Sequence, residues 1–332
     1  MRRRDFITAF AGAASFPLLW PLMALSQPST KPYRLAYLAL LPGEDATFAK
    51  SLLQRLKELG YRDGQNMIWN YRSADGRAER LPLLAAELVQ TSPDVLITGF
   101  GTLAAKAAIA ATRSIPIVFT AVGDPVGAGL VKSLQQPGGN ATGMSALAAD
   151  ITSKRLQLLN DVIPGKRPIA VLSNPDTPYT ALALDQMRKA AAVMEIPLMV
   201  LDVRAVDEIP KAIGEAVEAE VAGMLVLEDP VLLAAMRQTA ELVAEARLPT
   251  IFGPKEYAAA GGLIAYGPDQ TQLNRNAADQ VDKILKGALP ASLPVEQPTK
   301  FQLVINLNAA KGLGLSIPPA LLARAFHILM EA

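Results

Sequence analysis

The strongest constraint on this chain is a rhythm of short apolar runs without polar alternation, each followed by a helix-like segment. In the first half, 33–40 (YRLAYLAL), 66–72 (NMIWNYR), 94–100 (DVLITGF), 115–122 (IPIVFTAV) and 141–147 (ATGMSAL) read as strands bounded by Gly, Pro or Asp. Helical patterns fill the gaps at 47–60, 78–90 and 102–113, the first closing on Gly60 and the last with Thr102 at its N-cap. The second half repeats the scheme, with strands at 167–174, 197–203, 222–229, 249–253 and 262–267. Its helices are expected at 180–195, 206–220 and 231–247. A strand that is apolar on both faces must be covered on both, and intervening helices do this when the strands run parallel. The expected fold class is therefore α/β: two parallel sheets, each between helices, giving two αβα lobes. A helix over 271–287 is expected to cross back to the first lobe, with the tail returning to the second. The lobes then span 31–148 plus about 268–290, and 149–267 plus about 295–332.

Composition narrows the chemistry. The 332 residues are 51% hydrophobic, enough for two cores. A net charge of +1 suggests neither nucleic acid nor an acidic membrane surface as a partner. Without cysteine there is no thiol nucleophile, disulfide or Cys-based zinc site. The single histidine, His327, lies in the apolar run LLARAFHILM, read as helical, where a structural histidine is expected rather than a base. No catalytic residue, metal or cofactor is expected.

Residues 1–26 read as an export signal: basic MRRRDF, an apolar run, then a small-residue site with Ala24 and Ser26. The order Arg3-Arg4-Asp5-Phe6-Ile7 resembles the twin-arginine pattern. A membrane anchor is the alternative, against which Pro17 and Pro21 interrupt the apolar run. Cleavage after Ser26 leaves 306 residues with a net charge of −1. The expected location is the periplasm, soluble and without a lipid anchor, since no cysteine is available to carry one.

In open parallel sheets, ligands bind outside the carboxyl ends of the strands. Those ends here carry Glu44, Asp45 and Thr47 after the first strand, Phe100, Gly101 and Thr102 after the third, and Asp124 after the fourth. The second half offers Asn174, Asp176 and Tyr179, then Glu228 and Asp229, then Lys255 and Tyr257. The run GFGTLAAKAA (99–108) fails the dinucleotide fingerprint because Ala104 stands at the third glycine's place. It reads either as a helix N-terminus open to a small carboxylate or as an ordinary strand–helix turn. Asp124-Pro125 and Glu228-Asp229-Pro230 each read two ways, as a helix cap with Pro at the first position or as an acid for a ligand ammonium. SNPDTPY (173–179) is a turn whose Tyr179 can stack on a planar ligand, and LQQPGGNATG (134–143) is a structural turn. The acid pairs lack the spacing of a calcium loop.

Several blocks resemble the ABC-transporter substrate-binding proteins: LKELGYRDGQNMIWNYRSADG (56–76), IPIVFTAVGDPVGAGLVKSLQQPGGNATGMS (115–145) and FQLVINLNAAKGLGLSIPPALLARA (301–325). Within that family they are similar to the branch associated with tryptophan or other aromatic amino acids. The resemblance implies a type I periplasmic-binding-protein fold, a Venus flytrap of two lobes joined by a multi-strand hinge. It implies a monomer that closes over a small ligand, an amino acid or related carboxylate, and presents the closed form to a membrane permease and its ATPase. Carried onto this chain, Gly101 and Thr102 would receive the carboxylate and Asp124 would face the cleft. Asn174, Glu228 and Asp229 would form the opposing wall, with Phe100, Tyr179 and Tyr257 as nearby aromatics. LPGEDATF after the first strand departs from the family pattern. The competing readings are an enzyme on the same scaffold using cleft carboxylates, and a sugar-type regulatory domain. The export signal and the lack of a DNA-binding helix pair argue against the latter.

Overall fold

The computed structural model describes residues 31–43, 49–163 and 165–330. The export-signal reading of 1–26, and Glu44, Asp45 and Thr47, lie outside the described residues. The first sheet holds β1 (Tyr33–Ala39), β2 (Met67–Ser73), β3 (Val95–Phe100), β4 (Ile117–Val122) and β5 (Ala141–Ser145). Its order is β2-β1-β3-β4-β5 and every pairing is parallel. Helices α1 (Ala49–Glu58), α2 (Leu81–Gln90) and α3 (Thr102–Ala111) connect these strands. Strand β1 shows the two-sided burial directly. Leu35, Tyr37 and Ala39 share a core with Leu52 and Leu56 of α1. Ala36, Leu38 and Leu40 point the other way, into a core with Leu84 and Leu88 of α2 and Ala104 and Ala108 of α3.

The second sheet holds β6 (Ile169–Ser173), β7 (Leu198–Asp202), β8 (Gly223–Val226), β9 (Thr250–Phe252), β10 (Ile264–Pro268), β11 (Phe301–Asn306) and β12 (His327–Leu329). Its order is β12-β11-β10-β9-β8-β6-β7, and only the β10–β11 pair is antiparallel. The remaining helices are α4 (Thr152–Val162), α5 (Thr180–Met194), α6 (Ile209–Glu218), α7 (Pro230–Ala234), α8 (Met236–Glu245), α9 (Glu256–Ala259), α10 (Gln270–Leu285), α11 (Leu307–Leu313) and α12 (Pro319–Leu322).

The chain passes between the sheets three times. It leaves β5 for α4 through 146–151, and leaves β10 for α10, which packs on α1, β4 and β5 of the first sheet. It returns through 296–301, where Glu296 still bridges to Met144 of β5 before β11 begins. The result is an α/β fold of two sheets with interleaved helices, joined by crossing segments.

Three local readings need correction. The helix expected over 231–247 is two, α7 and α8, broken at Ala235 after a start at Pro230. Helix α4 was not anticipated, because Arg155 stands in the middle of its buried face among Leu156, Leu159 and Val162 and hides the apolar pattern. His327 is in a strand and not a helix: β12 pairs with the free edge of β11, Val304 opposite His327, and that pairing overrides a locally helical apolar run.

Candidate ligand-binding site

The carboxyl ends of both sheets converge on one partly enclosed cavity. From the first sheet come Phe100 and Gly101 at the end of β3, Thr102 and Leu103 at the start of α3, and Ala121 and Gly123 at the end of β4. The crossing segment adds Ala146 and Ala148. The second sheet supplies Thr177, Tyr179, Glu228 and Pro230, with Pro254, Lys255 and Glu256 after β9. Pro268 and Gln270 close it from the β10–α10 crossing.

Gly101, not Thr102, is the N-cap of α3, at φ 95° and ψ 170°, a conformation that glycine adopts without strain. It offers no capping side chain, so the first N–H groups of α3 have no side-chain cap, and this end of the helix, Gly101 to Leu103, lines the cavity. Thr102 is buried, lines the cavity, and makes no side-chain hydrogen bond to the described residues. Opposite, the buried Nε2 of Gln270 has no partner among the described residues. Both are groups a ligand can satisfy.

The two halves touch where side chains are absent. A Cβ on Gly101 would lie 2.9 Å from Cγ of Pro230, and one on Gly123 would lie 2.8 Å from Cδ1 of Tyr179. The Tyr179 ring therefore rests against the end of β4, and its hydroxyl donates to the carbonyl of Glu228. Burial pushes the Tyr179 phenol well above its ordinary value, with the Glu228 charge adding to it, so the hydroxyl stays a neutral donor.

Five of the nine candidate residues meet in this cavity: Phe100, Gly101, Thr102, Tyr179 and Glu228. The other four are outside its lining. Asn174 donates to Asp229 at 3.2 Å and accepts from the Asp176 N–H at 3.0 Å. Asp229 caps α7, accepting from Val231 at 2.7 Å and Leu232 at 3.2 Å, and also accepts from Thr177. Burial raises its carboxyl above the ordinary value, against the opposing pull of Thr177, the α7 N–H groups and Asn174. Tyr257 stacks on Phe252 at 4.3 Å and donates to the Leu232 carbonyl at 2.7 Å, beneath α7. Asp124 accepts from the Gly127 N–H at 2.8 Å and lines a separate hollow with Leu147 and Asp150. Pro125 begins a series of turns there and no helix.

Sequence reasoning passed over Thr177, Pro254, Glu256 and Gln270, which lie just past strands of the second sheet, and Pro268 at the end of β10, although the strand-end rule applies to all five. It also passed over Arg155, which stands behind the cavity wall, wholly buried and paired with Glu228 through both terminal nitrogens. Among the described residues no helix is long and apolar enough to cross a membrane.

Two mostly parallel sheets with interleaved helices, and a largely apolar cavity with a few polar groups at their carboxyl ends, give the chain the fold of the type I periplasmic binding proteins. The chain matches the ABC transporter substrate binding protein family over residues 42–329 and belongs to it. It is 28% identical over 266 residues to a tyrosine-binding protein of Clostridioides difficile, covering 80% of this chain and 76% of that one. Among solved structures it is similar to a conserved domain protein from Vibrio cholerae, at a TM-score of 0.84 and 33% identity, over 90% of this chain and 100% of the other. An ABC domain from Streptococcus pneumoniae in complex with L-Trp has the same fold, at a TM-score of 0.83 and 24% identity, with the same coverage.

Proposed function

We propose that this chain is the extracytoplasmic binding component of an ABC importer and that it takes an aromatic amino acid, or a closely related carboxylate, into the cavity. The observation that carries this is the pairing of an open helix N-terminus with an apolar chamber. The first N–H groups of α3 and the Thr102 hydroxyl hold the carboxylate, where helix dipole and unsatisfied donors favour negative charge. Phe100, Leu103, Tyr179 and the prolines Pro230 and Pro254 enclose an apolar side chain. Gln270 donates to the ligand, and the ammonium lies toward the Glu228 side. The tyrosine-binding and L-Trp-bound relatives support an aromatic ligand.

The two lobes, 31–148 plus about 268–290 and 149–267 plus about 295–332, close over the ligand by bending at the crossings. The export signal at 1–26 directs the chain to the periplasm, where a monomer hands its ligand to a permease and its ATPase. The test is thermal unfolding of the purified chain against amino acids, small organic acids, sugars and short peptides. A ligand at a hundred times its dissociation constant stabilises by about 2.7 kcal/mol, an easily read rise in midpoint. A rise confined to aromatic amino acids is the expected result. A rise with sugars alone, or turnover of any compound, would overturn the reading.

A further inference from the structure

Glu228 reaches the cavity from just past β8, but its carboxylate is already engaged on the far side of the wall. Arg155, on α4 and without solvent exposure, gives one terminal nitrogen to each Glu228 oxygen and its Nε to the Tyr266 carbonyl at 2.7 Å. The pair lies in a slot cut by two missing side chains. A Cβ on Gly253 would lie 2.5 Å from Oε1 of Glu228 and 2.8 Å from Nη2 of Arg155. One on Gly267 would lie 2.6 Å from the Gly253 carbonyl oxygen and 3.5 Å from Nη2 of Arg155. The neighbouring acid, Asp229, offers no free charge to the cavity, since its oxygens serve the α7 N–H groups, Thr177 and Asn174.

The wall behind the ligand is therefore an ion pair of zero net charge, facing an α3 N-terminus of positive character. A lone buried carboxylate would attract any cation strongly in this low-dielectric setting; the paired one does not. We infer that Arg155 is the specificity-setting residue of the cavity. Without touching the ligand, it holds Glu228 as half of a neutral pair, so that the site accepts a zwitterion and discriminates against a bare amine. Glu228 keeps unused lone pairs for an ammonium, but only a ligand that also brings a carboxylate to α3 leaves the whole site balanced. This rests on the amino-acid reading above and names the charge class within it.

The test compares L-tryptophan, tryptamine and indolepropionate by titration calorimetry on the full chain. The readout is the ratio of the tryptamine to the indolepropionate dissociation constant. Glu228→Gln leaves Arg155 uncompensated and is expected to raise that ratio about tenfold or more. Arg155→Met leaves Glu228 uncompensated and is expected to lower it by a similar factor. The double variant restores neutrality and is expected to return the ratio to within about threefold of wild type, whatever the loss of absolute affinity. Arg155→Lys, which keeps the charge and loses the fork, is expected to stay on the wild-type side. Should Arg155→Met fail to fold, Glu228→Gln against the double variant decides alone. Equal ratios in those two would overturn the inference, since a merely structural pair weakens all three ligands alike. Wild type binding none of the three would overturn the amino-acid reading and this inference with it. Wild-type binding with ratios that ignore the pair's charge overturns only the inference.

Discussion

The chain writes Asp-Pro at two strand ends, and the two copies do different things. After β4, Asp124 turns back on its own loop, accepts the Gly127 N–H, and leads through turns to a separate hollow. After β8, Asp229 caps α7, ties down Thr177 and Asn174, and sets Pro230 against Gly101 across the cavity. The residues downstream of each copy decide part of this. Glycines at 127 and 129 let the first copy curl, whereas Val231, Leu232 and Leu233 give the second a helix with an apolar face to bury. The rest comes from the neighbours: Asn174 and Thr177 arrive at Asp229 from the end of β6, and no such pair reaches Asp124 among the described hydrogen bonds. Identical dipeptides thus separate into a local turn and a joint that braces the cavity wall.

The largest expected effect breaks the second copy. Asp229→Ala removes the cap and strands the Thr177 and Asn174 side chains, so urea unfolding should show a loss of about 2–4 kcal/mol. Next comes the contact that Pro230 makes. Gly101→Ala adds a Cβ 2.9 Å from Pro230 Cγ at a φ of 95°, and affinity for the confirmed ligand should fall about tenfold, measured by calorimetry, as the lobes are held apart. Unchanged affinity would show that the two halves do not need this approach.

A smaller effect is expected at the first copy. Asp124→Ala should cost about 1 kcal/mol of stability, as for a lost cap, and leave affinity within about twofold. A tenfold loss of affinity would restore Asp124 to the ligand and dissolve the contrast. The smallest effect is in pH. Asp229 has a folded carboxyl value raised above the ordinary 3.8, so its contribution is fully present below that value and is lost as pH rises through the raised one. Asp229→Asn keeps a capping oxygen and should flatten that decline in unfolding midpoint; a slope matching wild type would mean the buried carboxyl is not its source.

Most elements were legible because their signal is local. Strands such as β1 and β3 and helices such as α3 and α10 follow from side-chain period and from Gly or Pro punctuation. The failures have tertiary causes. Helix α4 hides its buried face behind Arg155, whose charge is met by Glu228, 73 positions away. Strand β12 exists because β11 leaves an edge open. At the site, the strand-end rule reached Phe100, Gly101, Thr102, Tyr179 and Glu228, yet could not tell which strand-end acid faces the cavity and which is consumed as a cap.

The sequence by itself determined the two-sheet α/β architecture and which residues stand at the carboxyl edges of the sheets, because periodicity and strand-end position are properties of contiguous residues; the family resemblance was carried by the blocks at 56–76, 115–145 and 301–325. Only the tertiary structure decided that Arg155 neutralises Glu228 in a slot between Gly253 and Gly267, and that Gly101 and Gly123 receive Pro230 and Tyr179. Those facts depend on which strands become neighbours after the chain crosses between sheets, and charge pairing at atomic distance carries no period that a linear reading can detect.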